Sequence, residues 1–355
     1  MKSKLLATLA VGAASAALLA GVASAATPTT KMETPKSVYF IFTGYAYPYF
    51  APMAEAVKQA ASHYPDMTVK VVNANNSASD EIADINEAVA AGAKGIILNT
   101  IQESVTATAE KAMKAGVPVV TIDRDVSNPG ARIVFIGDND ETLGREETQY
   151  GVDALAKMNF PKPWRVAVLQ GTVGASVSIG RLKGAMGVLQ PLIDKKEVQL
   201  VLNQSADFAT DKAQAMMSAE LAKTADIQLV VCGNDAMALG VINALKTHGV
   251  TPGEKTLVVG ADAQPESLDA IKAGTQLDTV THAPFVEAYW AVEAMNNYLT
   301  NGEKAPAKFA HGDVIIPMTL VDKANVGKIA AWGTPQAIAP LPYSVSETFS
   351  VTSAR

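Results

Sequence analysis

Leu229-Val230-Val231-Cys232-Gly233-Asn234-Asp235-Ala236-Met237-Ala238-Leu239-Gly240, which runs on to Lys246-Thr247-His248-Gly249, decides the fold. Four consecutive apolar residues, two of them β-branched, read as a strand buried on both faces. Gly233-Asn234-Asp235 breaks it, and either Asn234 or Asp235 suits the N-cap of a helix. A cation followed by glycine, Lys246 to Gly249, closes that helix. Buried strand, polar turn and capped helix make one β–α unit of a parallel sheet covered on both faces.

The same unit recurs on either side. Upstream, apolar strands are expected at 38–42, 68–72, 95–98, 117–122 and 132–136, separated by helical stretches at 51–64, 81–91 and 105–115. A long helix at 141–158 follows, and the pattern restarts with strands at 166–169, 199–202, 228–231 and 256–259. The expected fold class is therefore α/β, two similar lobes each built on a parallel sheet flanked by helices. Segments near 277–281 and 314–316 are left over and imply that the chain crosses between lobes more than once. The stretch from Asn325 is rich in Pro, Ala and Ser and reads as a partly extended or disordered tail.

Lys2 and Lys4, the apolar run 5–22 and the small residues Ala23-Ser24-Ala25 read as a cleaved secretory signal over 1–25. The protein is thus expected in the periplasm. What remains is longer than one core usually serves. The single cysteine, Cys232, has no internal partner and reads as a packed core thiol. A net charge of −6 without a basic stripe argues against nucleic acid as a partner.

In open parallel sheets a ligand sits outside the carboxyl ends of the strands. Those positions carry Thr43, Tyr47, Tyr49 and Phe50 after the first strand, then Asn99, then Asp123 and Arg124. In the second half they carry Arg181, Phe208, Asn234, Asp262 and His282. Asp, Asn and Arg can each serve two neighbouring hydroxyls, and aromatic rings pack on the C–H faces of a sugar. Taken singly, an Asp after a strand also suits a helix cap and an Arg a surface ion pair. Their shared topological position in both halves favours a binding site. An enzyme is not expected. Gly174-Ala175-Ser176-Val177-Ser178 fails as a nucleophile elbow at its last position, and no zinc-protease, phosphate-loop or dinucleotide motif is present. Asp138-Asn139-Asp140 begins like a calcium loop but places Leu143 where the turn needs glycine, so no metal and no cofactor are expected.

Five motifs carry a family resemblance: Thr121-Ile122-Asp123-Arg124, Leu169-Gln170-Gly171 with Arg181-Leu182-Lys183-Gly184, Ala206-Asp207-Phe208, Gly233-Asn234-Asp235-Ala236-Met237-Ala238-Leu239-Gly240, and Val258-Val259-Gly260-Ala261-Asp262. In this order the chain resembles the type I sugar-binding proteins of ABC importers, the relatives of the periplasmic ribose binder. The resemblance implies lobes of 37–138 plus 283–312 and 139–282 plus 313–324, joined by a three-crossover hinge, with 325–355 as the tail. It implies that Asp123, Arg124, Arg181, Asn234 and Asp262 meet ligand hydroxyls, and that Phe50 and Phe208 sandwich the ring with Tyr49 beside them. Tyr47, Ala261 and His282 stand where the ribose binder has Asn, a ring-stacking Phe and Gln, so a monosaccharide or polyol other than ribose is expected. The implied partner is a membrane permease served by a monomer. A chemoreceptor or quorum-signal system is the alternative, as is a nucleoside ligand. A repressor of this core fold would need an N-terminal helix-turn-helix in place of the signal.

Overall fold

The computed structural model describes residues 35–224, 226–332, 337–344 and the backbone of 349–350. The expected signal segment lies outside the described residues. Strands and helices alternate as β1 (Lys36–Phe42), α1 (Phe50–Ala61), β2 (Met67–Asn73), α2 (Ala78–Ala90), β3 (Gly95–Asn99), α3 (Thr106–Lys114), β4 (Val119–Ile122) and β5 (Val134–Gly137). The second half follows with α4 (Asp140–Lys157), β6 (Trp164–Gln170), α5 (Ser176–Asp194), β7 (Val198–Ser205), α6 (Thr210–Leu221), β8 (Leu229–Cys232), α7 (Asp235–Thr247), β9 (Leu257–Val259) and α8 (Pro265–Ala273). Then come β10 (Thr279–Val280), α9 (Pro284–Asn301), β11 (Asp313–Ile315) and β12 (Leu320–Val321). A last antiparallel pair joins β13 (Ala337–Ile338) to β14 (Phe349–Ser350).

The first lobe is a six-stranded sheet in the order β11-β5-β4-β3-β1-β2, and its adjacent strands run parallel. The second is a parallel sheet in the order β7-β6-β8-β9, extended beside β9 by bridges to Asp278 and Thr281. Strands β3, β4, β5, β8 and β9 are buried along their whole length, as their mostly apolar sequences require. Helix starts follow their sequence signals. Ser77 accepts from the amide of Asp80 at α2, Asn139 from Thr142 at α4 and Asn234 from Met237 at α7.

The chain crosses between lobes three times: from β5 into α4, from β10 into α9, and from β11 to β12. The third crossing corrects one expected boundary. Asp313–Ile315 pairs with β5 in the first sheet rather than belonging to the second lobe, so the crossing comes after that strand and not at Gly312. The tail is also more ordered than its composition implied. Val326, Ile338 and Leu341 are buried, because a few apolar residues spaced among Pro, Ala and Ser suffice to anchor a segment.

The closest helix crossing is between α4 and α5. A Cβ on Gly144 would lie 2.1 Å from the carbonyl oxygen of Arg181, and one on Gly184 2.1 Å from that of Glu141. Both obstacles are backbone, so neither can rotate away. Gly144→Ala should therefore destabilise the protein by at least ~1–3 kcal/mol, the usual cost of overpacking. A urea titration checks this, with Gly187→Ala as the control, since nothing lies within 4 Å of a Cβ there.

Candidate functional site

Between the carboxyl ends of the two sheets the side chains leave a small cavity of about 30 Å³, lined by Tyr47, Tyr49, Phe50, Asp123, Arg124, Val177, Arg181, Phe208, Asn234, Asp262 and His282. Ten of the twelve residues expected from the sequence meet here. Thr43 and Asn99 do not line the cavity. They stand behind Asp123: the amide and Oγ1 of Thr43 donate to Asn99 Oδ1, and Asn99 Nδ2 donates to Asp123 Oδ2 at 2.7 Å. Both sit at strand ends, but one layer deeper than their sequence position alone reveals.

The first lobe supplies Asp123 and Arg124 from the end of β4. The Arg124 guanidinium carbon lies 5.8, 5.2 and 5.4 Å from the ring centres of Tyr47, Phe50 and Phe208. Its Nη1 donates to the Ile101 carbonyl, while its buried Nε has no protein acceptor. Phe208 reaches Arg124 because Gly171 has no side chain; a Cβ there would sit 1.9 Å from the Phe208 ring. Glu81 braces the same loop by accepting from the Ile101 amide at 2.9 Å.

The second lobe is organised by Arg181, on the first two turns of α5. Its Nε donates to Asp140 Oδ1 at 2.9 Å, and its Nη1 to the Gly233 carbonyl at 2.8 Å and to Asp262 Oδ1 at 2.9 Å. Asp262 does not cap α8. Its carboxylate serves Arg181 and His282 instead. Asn234 does both jobs expected of it. Its Oδ1 caps α7, which leaves its amide NH₂ as a donor for the cavity it lines. Ala261 corrects the sequence reading. It packs against Leu143 and Val280 away from the cavity, so its small side chain does not open the pocket.

His282 stands at the centre. Its Nδ1 is 3.0 Å from Arg181 Nη2 and 3.2 Å from Asp262 Oδ1. Its Nε2 is 3.0 Å from Glu287 Oε1, 3.4 Å from Asp123 and 3.7 Å from Asp138. The Tyr49 ring stacks on the imidazole at 4.5 Å, and its hydroxyl donates to Glu287 Oε2. Burial alone would favour neutral imidazole. Asp138 and Glu287, with hydrogen bonds to Asp262 and Glu287, nonetheless raise its pKa well above the ordinary histidine value. Burial also acts on the acids. It raises Asp138 to about 7 and Glu287 to about 8, against the opposing pull of His282. For Asp262, Arg181 and His282 outweigh burial, and its pKa is lowered.

Sequence reasoning missed Glu287, Asp138, Asp140 and Val177. Glu287 carries no motif. It reaches the cavity because Pro284 starts α9 two residues after His282, which folds the fifth residue back over the imidazole. Asp123, His282 and Glu287 bring one ligand atom each to within 4.8 Å of one another, close enough to share a cation. Asp123 comes from the end of β4 and the other two from the second crossing, so no single stretch of sequence announces the group.

The lobes touch across the cleft mouth, where the amide of Glu103 donates to the Gly174 carbonyl and that of Asp125 to Ser176 Oγ. With Arg124, Arg181 and His282 each 2–4% exposed, the cleft is closed. Among the described residues no helix is long and apolar enough to cross a membrane.

A family model described as a periplasmic binding protein domain matches residues 38–304. The ribose import binding protein of Bacillus subtilis is 31% identical over 258 residues, 72% of this chain and 79% of that protein. The D-apiose import binding protein of Paraburkholderia graminis is 28% identical over 88% of this chain and 96% of its own length. Among solved structures, the Caulobacter myo-inositol binding protein superposes with a TM-score of 0.74 at 26% identity, covering 83% of this chain and 96% of that one.

The raised acids fix the sign of the pH response. The Glu81 carboxyl is pushed by burial from 4.5 to about 8, so the native state keeps a proton that the unfolded chain releases near 4.5. Its stabilisation is complete below that lower value and is lost as pH rises through about 8. Asp138, Glu287 and His282 act in the same direction. Urea melts of the unliganded protein should therefore show lower stability at pH 8 than at pH 5. Glu81→Gln should flatten that slope by up to ~1.4 kcal/mol per pH unit.

Proposed function

The chain belongs to the periplasmic binding protein family, and we propose that it captures a small neutral polyhydroxylated ligand, a monosaccharide or cyclic polyol, in the cleft between its lobes. One observation carries this reading. Paired acids and guanidiniums, Asp123 with Arg124 and Asp262 with Arg181, converge with Phe50 and Phe208 on one closed cavity from the strand ends of both sheets. Hydroxyls are donors and acceptors at once, so they can bridge acid to guanidinium, while ring C–H faces suit the aromatics. Relatives named as importers of ribose and of apiose, and a neighbour named for myo-inositol, support the ligand class.

The protein acts by hinge closure in the periplasm and hands its ligand to the permease of an ABC importer. It binds and releases without turnover. Asp123, Arg124, Arg181, Asn234, Asp262 and His282 provide the polar contacts, and Tyr47, Tyr49, Phe50 and Phe208 the packing surface. The lobes open to exchange ligand, because Glu103 meets Gly174 and Asp125 meets Ser176 across the cleft mouth.

A thermal-shift panel of D-ribose, D-apiose, L-arabinose and myo-inositol should identify a stabilising ligand. Small-angle scattering should then show the radius of gyration fall on its addition. An unchanged profile at saturation would overturn closure. For the same ligand, Asp262→Ala should weaken binding at least ~10- to 150-fold, the worth of a hydrogen bond to a charged group. Affinity left intact, with only a lower melting point, would assign Asp262 to structure rather than to the ligand.

A further inference from the structure

The chain does not end at the third crossing. Its C-terminal segment, outside the 38–304 span of the family match, is anchored in both lobes. On the second lobe Val326 is buried with Leu268 and Ile271 of α8 and with Val321, and Ile329 and Ala331 pack against the same cluster. On the first lobe the anchor is α9, which packs on α1, β3, β4 and β5. There Trp290 Nε1 donates to the Ala339 carbonyl at 2.8 Å, and the Leu341 amide donates to Glu293 Oε2 at 2.9 Å. Ile338 and Leu341 are buried.

Between the anchors lies Trp332. Its indole Nε1 donates to the backbone carbonyl of Asp262 at 3.1 Å, and its ring meets Tyr49 edge-on at 5.2 Å. Asp262 belongs to the second lobe and Tyr49 to the first, and both line the cavity. The indole therefore joins the two walls of the site from behind.

We propose that this segment is a clasp: a further connection between the lobes that biases the hinge toward the closed form, with Trp332 as the positioning residue that couples Tyr49 to Asp262. The contact with Tyr49 exists only while the lobes are together, so opening must break the aromatic contact or the indole hydrogen bond. A ligand then meets a cleft whose closure is already partly stabilised, and it leaves more slowly. The clasp rests on the hinge reading but not on the identity of the ligand.

The test needs no ligand. Cys232 is buried and is the only cysteine, so Ser104→Cys and Val173→Cys, exposed positions on opposite sides of the cleft mouth, can take spin labels selectively. Electron–electron distance distributions of the full chain should show a closed population that shrinks relative to the open one by about 5- to 150-fold in Trp332→Ala, the combined worth of an edge-on aromatic pair and one hydrogen bond. Trp332→Phe, which keeps a ring against Tyr49 but has no N–H, should fall between the two. It also carries the test if the alanine variant does not fold. Coincident distributions in folded variants overturn the clasp, as does a lowered melting point with distances unchanged. A panel in which no sugar binds, with the distances shifted as expected, overturns the ligand reading and leaves the clasp standing.

Discussion

A guanidinium cannot be removed from water unless its charge and its donors are met, and Arg181 is 4% exposed. Four groups from four parts of the chain meet that requirement. Asp140 comes from the start of α4, the Gly233 carbonyl from the end of β8, Asp262 from the end of β9 and His282 from the second crossing. The helix carrying Arg181 can approach α4 closely enough for this only because glycines face backbone at positions 144 and 184. Helix packing and binding chemistry are thus one constraint. Loosening the crossing moves the residue on which four others depend.

The backbone shows where the fold carries strain for this site. Asp123, Asp207, Phe208 and Asp262 have φ of 59°, 58°, 55° and 104°, values that L-residues with side chains seldom adopt. Asp123 directly follows β4 and the other three lie two or three residues beyond β7 or β9; Asp123, Phe208 and Asp262 line the cleft. Left-handed conformations in non-glycine residues cost about 1–3 kcal/mol each and persist only where the surroundings fix them. Here the surroundings are the partners already described: Asn99 for Asp123, Arg181 for Asp262, and for Phe208 the bare backbone at Gly171. The strain turns side chains into the cleft that an ordinary strand exit would point elsewhere.

These couplings explain what could be read from the sequence. The β–α alternation was legible because parallel strands buried on both faces admit only apolar runs, as in Leu229 to Cys232. The strand-end residues were legible because topology alone sends them to one crevice; Asp123, Arg124, Phe208, Asn234 and Asp262 needed no side-chain knowledge to be placed. Depth was not legible. Thr43 and Asn99 occupy strand ends but serve Asp123, and Ala261 packs on Leu143 and Val280. Partners brought by a different crossing were not legible either. Glu287 acts through the turn between His282 and Pro284, and Trp332 through a tail whose composition masks its few buried anchors. Strand β11 was recognised as a strand, yet which sheet it joined depends on pairing with β5, and no local pattern encodes that pairing.

Charge balance within the closed cleft bears on which ligands it can hold. Arg124, Arg181 and His282 face Asp123, Asp138, Asp140, Asp262 and Glu287. If all five acids were ionised, the negative charge would exceed the positive even with the imidazole protonated. Burial prevents that, since Asp138 and Glu287 retain protons up to about pH 7 and 8. Retained protons thus reduce the excess of negative charge. An anionic ligand would add charge to a cleft that already holds more acids than bases, where unpaired charge is costly. A neutral polyol leaves the balance intact and supplies the donors and acceptors that the buried polar groups lack, among them the unpartnered Nε of Arg124. The same sharing of protons around His282 makes the charge balance depend on pH, so ligand class and pH response have one physical origin.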